Sequence, residues 1–217
     1  MKNYVAPSLL AADKSKLMEE IKLAEDSGAE YLHFDVMDGK FVPNISFGLE
    51  DLRKISQTHK MINDVHIMIA DPEEQAVNYI KAGADIITFH LEAFSCMVCM
   101  GKTIRAVREA GGKVGISIKP KTKVRSLVPF LDQIDLVLIM SVEPGKGGQA
   151  FIKSSLSKIK FLRRYINRHK LNVLIEVDGG INDITGPLAR KAGADILVAG
   201  TYLFGHSDFK ERLEKIR

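Results

Sequence analysis

The chain has 217 residues, of which 46% are hydrophobic, 27% charged and 7% aromatic, a globular composition that excludes disorder and collagen-like structure and allows one sizeable core. Its net charge of +4 is spread along the chain with acidic residues between the basic ones, which speaks against a nucleic-acid partner. No apolar run reaches the roughly 18 residues of a membrane span, and MKNYVAPSLLAADKSKL at the N-terminus lacks a signal peptide's apolar stretch, so a cytoplasmic protein with no membrane partner is expected.

Taken in chain order, short apolar strands are expected near Val5 to Leu9, Tyr31 to Asp35, Ile62 to Met68, Ile86 to His90, Lys113 to Ile118, Leu136 to Ser141, Val173 to Asp178 and Ile196 to Ala199, with helical patterns between them. Four segments repeat one idea: DSGAEYLHFDV, KAGADIITFHLE, EAGGKVGISIK and KAGADILVAG each end a helix with Gly and start a buried strand. Their glycines, Gly28, Gly83, Gly111 and Gly193, recur at close to two, one and three multiples of about 27 residues, and one eighth of the chain is also about 27. Eight such units predict a single (β/α)8 TIM barrel with parallel strands, one domain over residues 1–217. An open doubly wound sheet is the main alternative, but it needs fewer units and a phosphate fingerprint after the first strand that this sequence lacks. Lys160, Arg164 and Arg168 fall on one helical face and read as a solvated outer surface. Cys96 and Cys99 form a lone Cys-x-x-Cys, read as reduced thiols near the start of a helix.

Barrel active sites lie at the C-terminal ends of the strands, so polar residues that close apolar strands are the candidates. In YLHFDVM, His33 and Asp35 lie two apart, which puts both on one face about 6.5 Å apart along the strand. The third strand ends with His66, the fourth with His90 and Glu92, and the seventh with Asp178. Two imidazoles and two carboxylates around one opening make an N2O2 site for one divalent ion, with zinc, iron, manganese and cobalt all compatible.

Glycine-rich turns after the last three strands, Gly145-Lys146-Gly147-Gly148, Gly179-Gly180 and Gly200-Thr201, suit close approach of backbone N–H groups to a phosphate, with a short helix expected near Thr201. Metal, carboxylates and phosphate together suggest proton abstraction beside the carbonyl of a phosphorylated compound, with Asp35 and Asp178 flanking it from opposite faces. A hydrolase with metal-activated water stays open on these residues.

The motifs APSLLAAD, HFDVMDGKFVPNISFG, DVHIM, AGADIITFHLEA, IMSVEPGKGGQAFI, VDGGI and VAGTYLFG, which sample nearly the whole chain, resemble the ribulose-phosphate 3-epimerase family in its order. The resemblance implies metal ligation by His33, Asp35, His66 and Asp178, with Asp35 and Asp178 as the acid/base pair that exchanges D-ribulose 5-phosphate and D-xylulose 5-phosphate. It implies sugar contacts by Ser8 and His66, and a phosphate held by Gly145 to Gly148, Gly179, Gly180, Gly200 and Thr201. Met37, Met68 and Met140 would cover the reacting carbon, though methionine more often fills a core. His90 and Glu92 would support the ligands, with an exposed Glu92 as the competing reading. Lys40 stands where a histidine is usual and Lys146 where a phenylalanine is usual, so a sister activity on D-allulose 6-phosphate is a close alternative. A non-catalytic phosphate-binding barrel is a further one. The partner expected is a phosphorylated ketose, in a homo-oligomer.

Overall fold

The computed structural model describes residues 2–217. Eight strands form it: β1 (Tyr4–Pro7), β2 (Tyr31–Met37), β3 (Ile62–Met68), β4 (Ile86–His90), β5 (Lys113–Ile118), β6 (Leu136–Met140), β7 (Leu174–Asp178) and β8 (Ile196–Ala199). Seven α-helices follow them: α1 (Leu17–Asp26), α2 (Leu49–Ile55), α3 (Pro72–Lys81), α4 (Met97–Glu109), α5 (Ser155–His169), α6 (Thr185–Ala192) and α7 (Phe209–Ile216). Every ladder is parallel, running from β2 through β3 and onward to β8 and then β1. Between β1 and β2 one parallel bridge, Ser8 to His33, closes the (β/α)8 barrel.

Strand alternation sorts the side chains into two layers. All seven residues of β2 are buried; Leu32, Phe34 and Val36 join the large core between sheet and helices, whereas Tyr31 belongs to a small apolar cluster inside the barrel and Met37 to another at its mouth. His33 and Asp35 share the inner parity, so the barrel axis is polar where it would otherwise be apolar. The helices cover the outside by period. In α5 the buried residues Ser155, Ile159, Leu162 and Ile166 make one stripe, and Lys160, Arg164 and Arg168 are exposed as expected. Burying each such aliphatic side chain stabilises the fold by about 2 kcal/mol. Gly193 ends α6 with φ 118°, a conformation that a side chain would strain, and its N–H returns to the carbonyls of Ala189 and Arg190.

A second rule appears at the opposite end of the barrel. Glu30, Asp85, Asp135 and Asp195 each stand immediately before an even-numbered strand, and each accepts the backbone N–H of Val5, Asn63, Val114 or Ile175 at the start of the preceding odd strand, at 2.7–3.1 Å. These charge-assisted bonds seat the strand starts. Asp195 also pairs with Arg163, whose guanidinium reaches the Gly193 carbonyl at 2.9 and 3.0 Å.

Some expectations are corrected. The helical segment between β5 and β6 is a 3-10 helix, Val124–Phe130, with Pro129 inside it. The first strand stops at Pro7, since Leu9–Ala11 turns into a 3-10 helix; Leu9 is fully buried nonetheless, so its hydrophobicity reports burial and not strand. The short helix expected near Thr201 is a turn in which the amides of Leu203 and Phe204 return to the Gly200 carbonyl. Cys96 and Cys99 are not free thiols: they are joined by a disulfide where Cys96 caps α4, because the N-cap and the third helical residue face each other across one turn. Among the described residues, no helix is long and apolar enough to cross a membrane.

Candidate active site

Inter-strand register assembles the site. Asp35 on β2 stands level with His66 on β3, and Asp178 closes β7 on the far wall. One side-chain atom from each of His33, Asp35, His66 and Asp178 can be chosen so that all lie within 4.8 Å of one another. His33 and His66 are fully buried, Asp35 is buried and Asp178 is half-buried at the rim.

Asp35, His33 and His66 are each held from behind. Ser8, placed by the closing bridge, donates its hydroxyl to Asp35 Oδ2 at 2.9 Å. His33 Nδ1 meets Asp64 Oδ2 at 2.5 Å, and His66 Nε2 meets His90 Nε2 at 2.9 Å, whose Nδ1 lies 3.3 Å from Glu92 Oε2. His33 Nε2 faces Asp35 Oδ1 at 3.4 Å, and that buried nitrogen has no hydrogen-bond partner; with Nδ1–H committed to Asp64, displacement of the second proton by a cation leaves a lone pair at Nε2. His66 Nδ1 faces the same oxygen at 3.1 Å. Lone pairs converging in this way fit a positive centre, and an N2O2 set on rigid strands fits a divalent cation.

The electrostatics separate the two aspartates. Burial works against charge on Asp35, but the neighbouring imidazoles of His33 and His66 outweigh it and hold the carboxyl well below its ordinary value. At Asp178 burial and then the Asp35 charge act together and push the carboxyl up to about 6. His33 is raised well above its ordinary value because Asp64 and Asp35 outweigh its burial. Glu176, fully buried, is raised well above its ordinary value by burial and then by Asp64. Asp64 and Glu176 were not among the sequence candidates. Their signal was there: each lies two residues before a ligand in an apolar strand, hence on the same inner face.

Above the ligands one cavity opens at the mouth. Ser8, Asp35, Gly145, Lys146, Gly147, Gly148, Asp178, Gly179, Gly180, Gly200 and Thr201 all line it. His33 and His66 do not; both are fully buried behind its wall. Met37, Met68 and Met140 line the cavity too, each at the end of its strand and on the inner parity. A Cβ on Gly180, which has φ 64°, would lie 2.6 Å from the Phe151 nitrogen, so only glycine brings the backbone this close. Asn44 donates to the Gly145 carbonyl at 2.8 Å, and Gln149 donates to the carbonyls of Glu143 and Lys146 at 2.7 and 2.8 Å, which fixes the loop after β6. Among the described residues, the amides of Gly147, Gly148, Gly180 and Thr201 donate to no protein acceptor, which suits an anion. Lys146 is exposed on the rim, and Lys40 is exposed and outside the cavity lining.

The chain resembles known proteins over nearly its whole length. The chain is 44% identical over 214 residues to ribulose-phosphate 3-epimerase of Bacillus subtilis (strain 168), covering 98% of this chain and 97% of that protein. It is 41% identical to the chloroplastic ribulose-5-phosphate-3-epimerase of Arabidopsis thaliana, over 98% of this chain and 75% of that protein. Among solved structures, 3-keto-L-gulonate-6-phosphate decarboxylase from Vibrio cholerae O1 biovar El Tor str. N16961 superposes with a TM-score of 0.74 at 14% identity, covering 100% of this chain and 96% of that one, a likeness of fold alone. Residues 4–204 match the profile of the Ribulose-phosphate 3 epimerase family, and at this extent and identity the chain belongs to that family of enzymes.

Proposed function

We propose that this enzyme interconverts D-ribulose 5-phosphate and D-xylulose 5-phosphate by two-base proton transfer at C3. The observation that carries this reading is the opposition of Asp35 and Asp178, which come from β2 and β7 and whose environments push their proton affinities apart. One removes the C3 proton from one face while the other delivers a proton to the opposite face, which inverts the carbon through an enediolate. Ser8 holds the Asp35 carboxylate in place, and the three methionines give the cavity an apolar wall that excludes water from the reacting carbon. His33, Asp35, His66 and Asp178 would hold one divalent ion, of zinc, iron, manganese or cobalt, which supplies Lewis acidity for the negative charge left on the substrate oxygens. The glycines lining the far side of the cavity, with Thr201, would take the phosphate.

The test is proton NMR of D-ribulose 5-phosphate with the purified enzyme in D2O and a divalent metal. Deuterium entering C3 as D-xylulose 5-phosphate appears, both lost in Asp35→Asn and Asp178→Asn, is the expected result; no exchange overturns it. The position of Lys146 on the cavity rim favours a second reading, D-allulose 6-phosphate as the preferred sugar. On that reading Lys146→Phe changes the ratio of kcat/KM between the pentulose and hexulose phosphates by about tenfold, and an unchanged ratio removes it.

A further inference from the structure

Glu92 is only half-buried, yet its carboxylate is fully engaged. One oxygen faces His90 Nδ1 at 3.3 Å; the other accepts the Lys119 amide at 2.8 Å and the Thr122 hydroxyl. The loop that supplies those donors is clamped on its other side by Lys158, whose Nζ reaches the carbonyls of Lys119, Pro120 and Thr122 at 2.7–3.1 Å. Lys119 Nζ lies 4.0 Å from the ring centroid of Phe41, and the Phe41 ring lies 4.9 Å from that of His90. One carboxylate on the loop after β4 thus joins the loops after β2 and β5 to the histidine pair behind the site.

With one proton on each imidazole, the chain of contacts has a single consistent arrangement. Burial opposes charge on Glu92, but its hydrogen bonds from His90, Thr122 and the Lys119 amide hold the carboxyl down at about 2, so it only accepts. An acceptor at Glu92 requires the proton of His90 on Nδ1. His90 is completely buried, so it carries a single proton, and with that proton on Nδ1 its Nε2 is bare and accepts. A bare His90 Nε2 requires the proton of His66 on Nε2, 2.9 Å away, which leaves His66 Nδ1 bare toward Asp35. Reversing any one bond reverses all of them and puts N–H where a metal ligand must present a lone pair.

We propose that Glu92 is a positioning residue that acts through His90 to fix which nitrogen of His66 faces the metal. The inference rests on the reading of His66 as a ligand. In Glu92→Gln the Lys119 amide is a donor that cannot turn, so the remaining oxygen of the glutamine stays with it and the new NH2 faces His90. His90 must then accept at Nδ1 and donate from Nε2, and His66 presents N–H at Nδ1.

The experiment is Zn2+ affinity by chelator competition on the full chain without sugar, for the wild type, Glu92→Gln, His90→Phe, the double variant and Thr122→Val, with 15N NMR of the histidines in the Zn2+-loaded protein. Glu92→Gln and His90→Phe are each expected to weaken Zn2+ binding about 10- to 100-fold. The double variant is expected to lose no more than His90→Phe alone, because Glu92 acts only through His90. Thr122→Val, which removes a hydrogen bond to the same carboxylate without touching the relay, is expected to stay within about twofold, and wild-type His66 is expected to carry its proton on Nε2. Affinity unchanged in Glu92→Gln, losses that add in the double variant, or Thr122→Val costing as much as Glu92→Gln overturns the proposal while leaving His66 a ligand. Should Glu92→Gln fail to fold, His90→Phe at wild-type affinity overturns it as well. A wild-type chain that binds no Zn2+ overturns the ligand reading itself, and this inference with it.

Discussion

The two ends of the barrel use carboxylates in opposite ways. At the N-terminal ends of the strands, Glu30, Asp85, Asp135 and Asp195 each accept a backbone N–H, and three of them also face an arginine. Toward the C-terminal ends, Asp35, Asp64, Glu176 and Asp178 crowd around two histidines with few fixed donors, and Asp64 Oδ1 and both oxygens of Glu176 have no partner at all. Satisfied charge at the foot holds the strands in place. Unsatisfied carboxylates along the axis beneath the mouth are destabilising unless a proton or a cation enters, so they mark the part of the barrel where chemistry happens.

If that contrast is right, the largest effect lies at the mouth and falls on rate. Asp35→Asn and Asp178→Asn should each lower kcat about 100- to 10,000-fold while the circular dichroism spectrum stays that of the wild type. A variant that lost structure along with activity would place the residue with the foot carboxylates instead. Next comes the foot. Asp195→Ala strands the Arg163 guanidinium and removes the acceptor of the Ile175 amide, at a cost of about 3–5 kcal/mol. Tm should fall about 10 °C, with kcat unchanged below the transition.

A smaller effect concerns pH, in protein stripped of metal by a chelator. The Asp178 carboxyl is raised from 3.8 to about 6, by burial and then by the Asp35 charge, so the folded state keeps this proton longer than the unfolded chain does. Its contribution to stability is therefore present below about pH 4 and lost as pH rises through 6. Asp178→Asn should raise Tm relative to wild type more at pH 7 than at pH 4; an equal difference at both would mean that the charge at the mouth carries no penalty. The smallest effect belongs to neither end. The Cys96–Cys99 disulfide closes a loop of only four residues, so its entropic contribution is about 2 kcal/mol. Reduction should lower Tm by a few degrees and leave kcat as it was.

Much of this was legible in the chain. Ile62–Met68, Ile86–His90, Lys113–Ile118 and Ile196–Ala199 were bounded as observed, the last three because strands buried on both faces read as apolar runs between a helix-ending Gly and a loop. The polar interruptions at His33, Asp35, His66 and Asp178 stood out against those runs for the same reason. Asp64 and Glu176 were overlooked although they interrupt the same strands, since a carboxylate midway along a strand does not announce whether it faces the axis. The acid before each even strand was visible in GAE, QID and the two GAD motifs, but its partner lies on the preceding strand, out of reach of any local pattern. Glu92 was ambiguous because its partners, Lys119 and Thr122, come from a different loop.

The sequence by itself determined the eightfold alternation, the parallel strands and the residue types at the mouth, because periodicity, helix-ending glycine and burial act over a few residues of one segment. Only the tertiary structure decided which carboxylates are satisfied and which are left facing a histidine, which nitrogen of each imidazole turns inward, and how Ser8 comes to hold Asp35. Those depend on the register between strands and on the Ser8–His33 bridge that closes the barrel, and register is set by the packing of the whole ring.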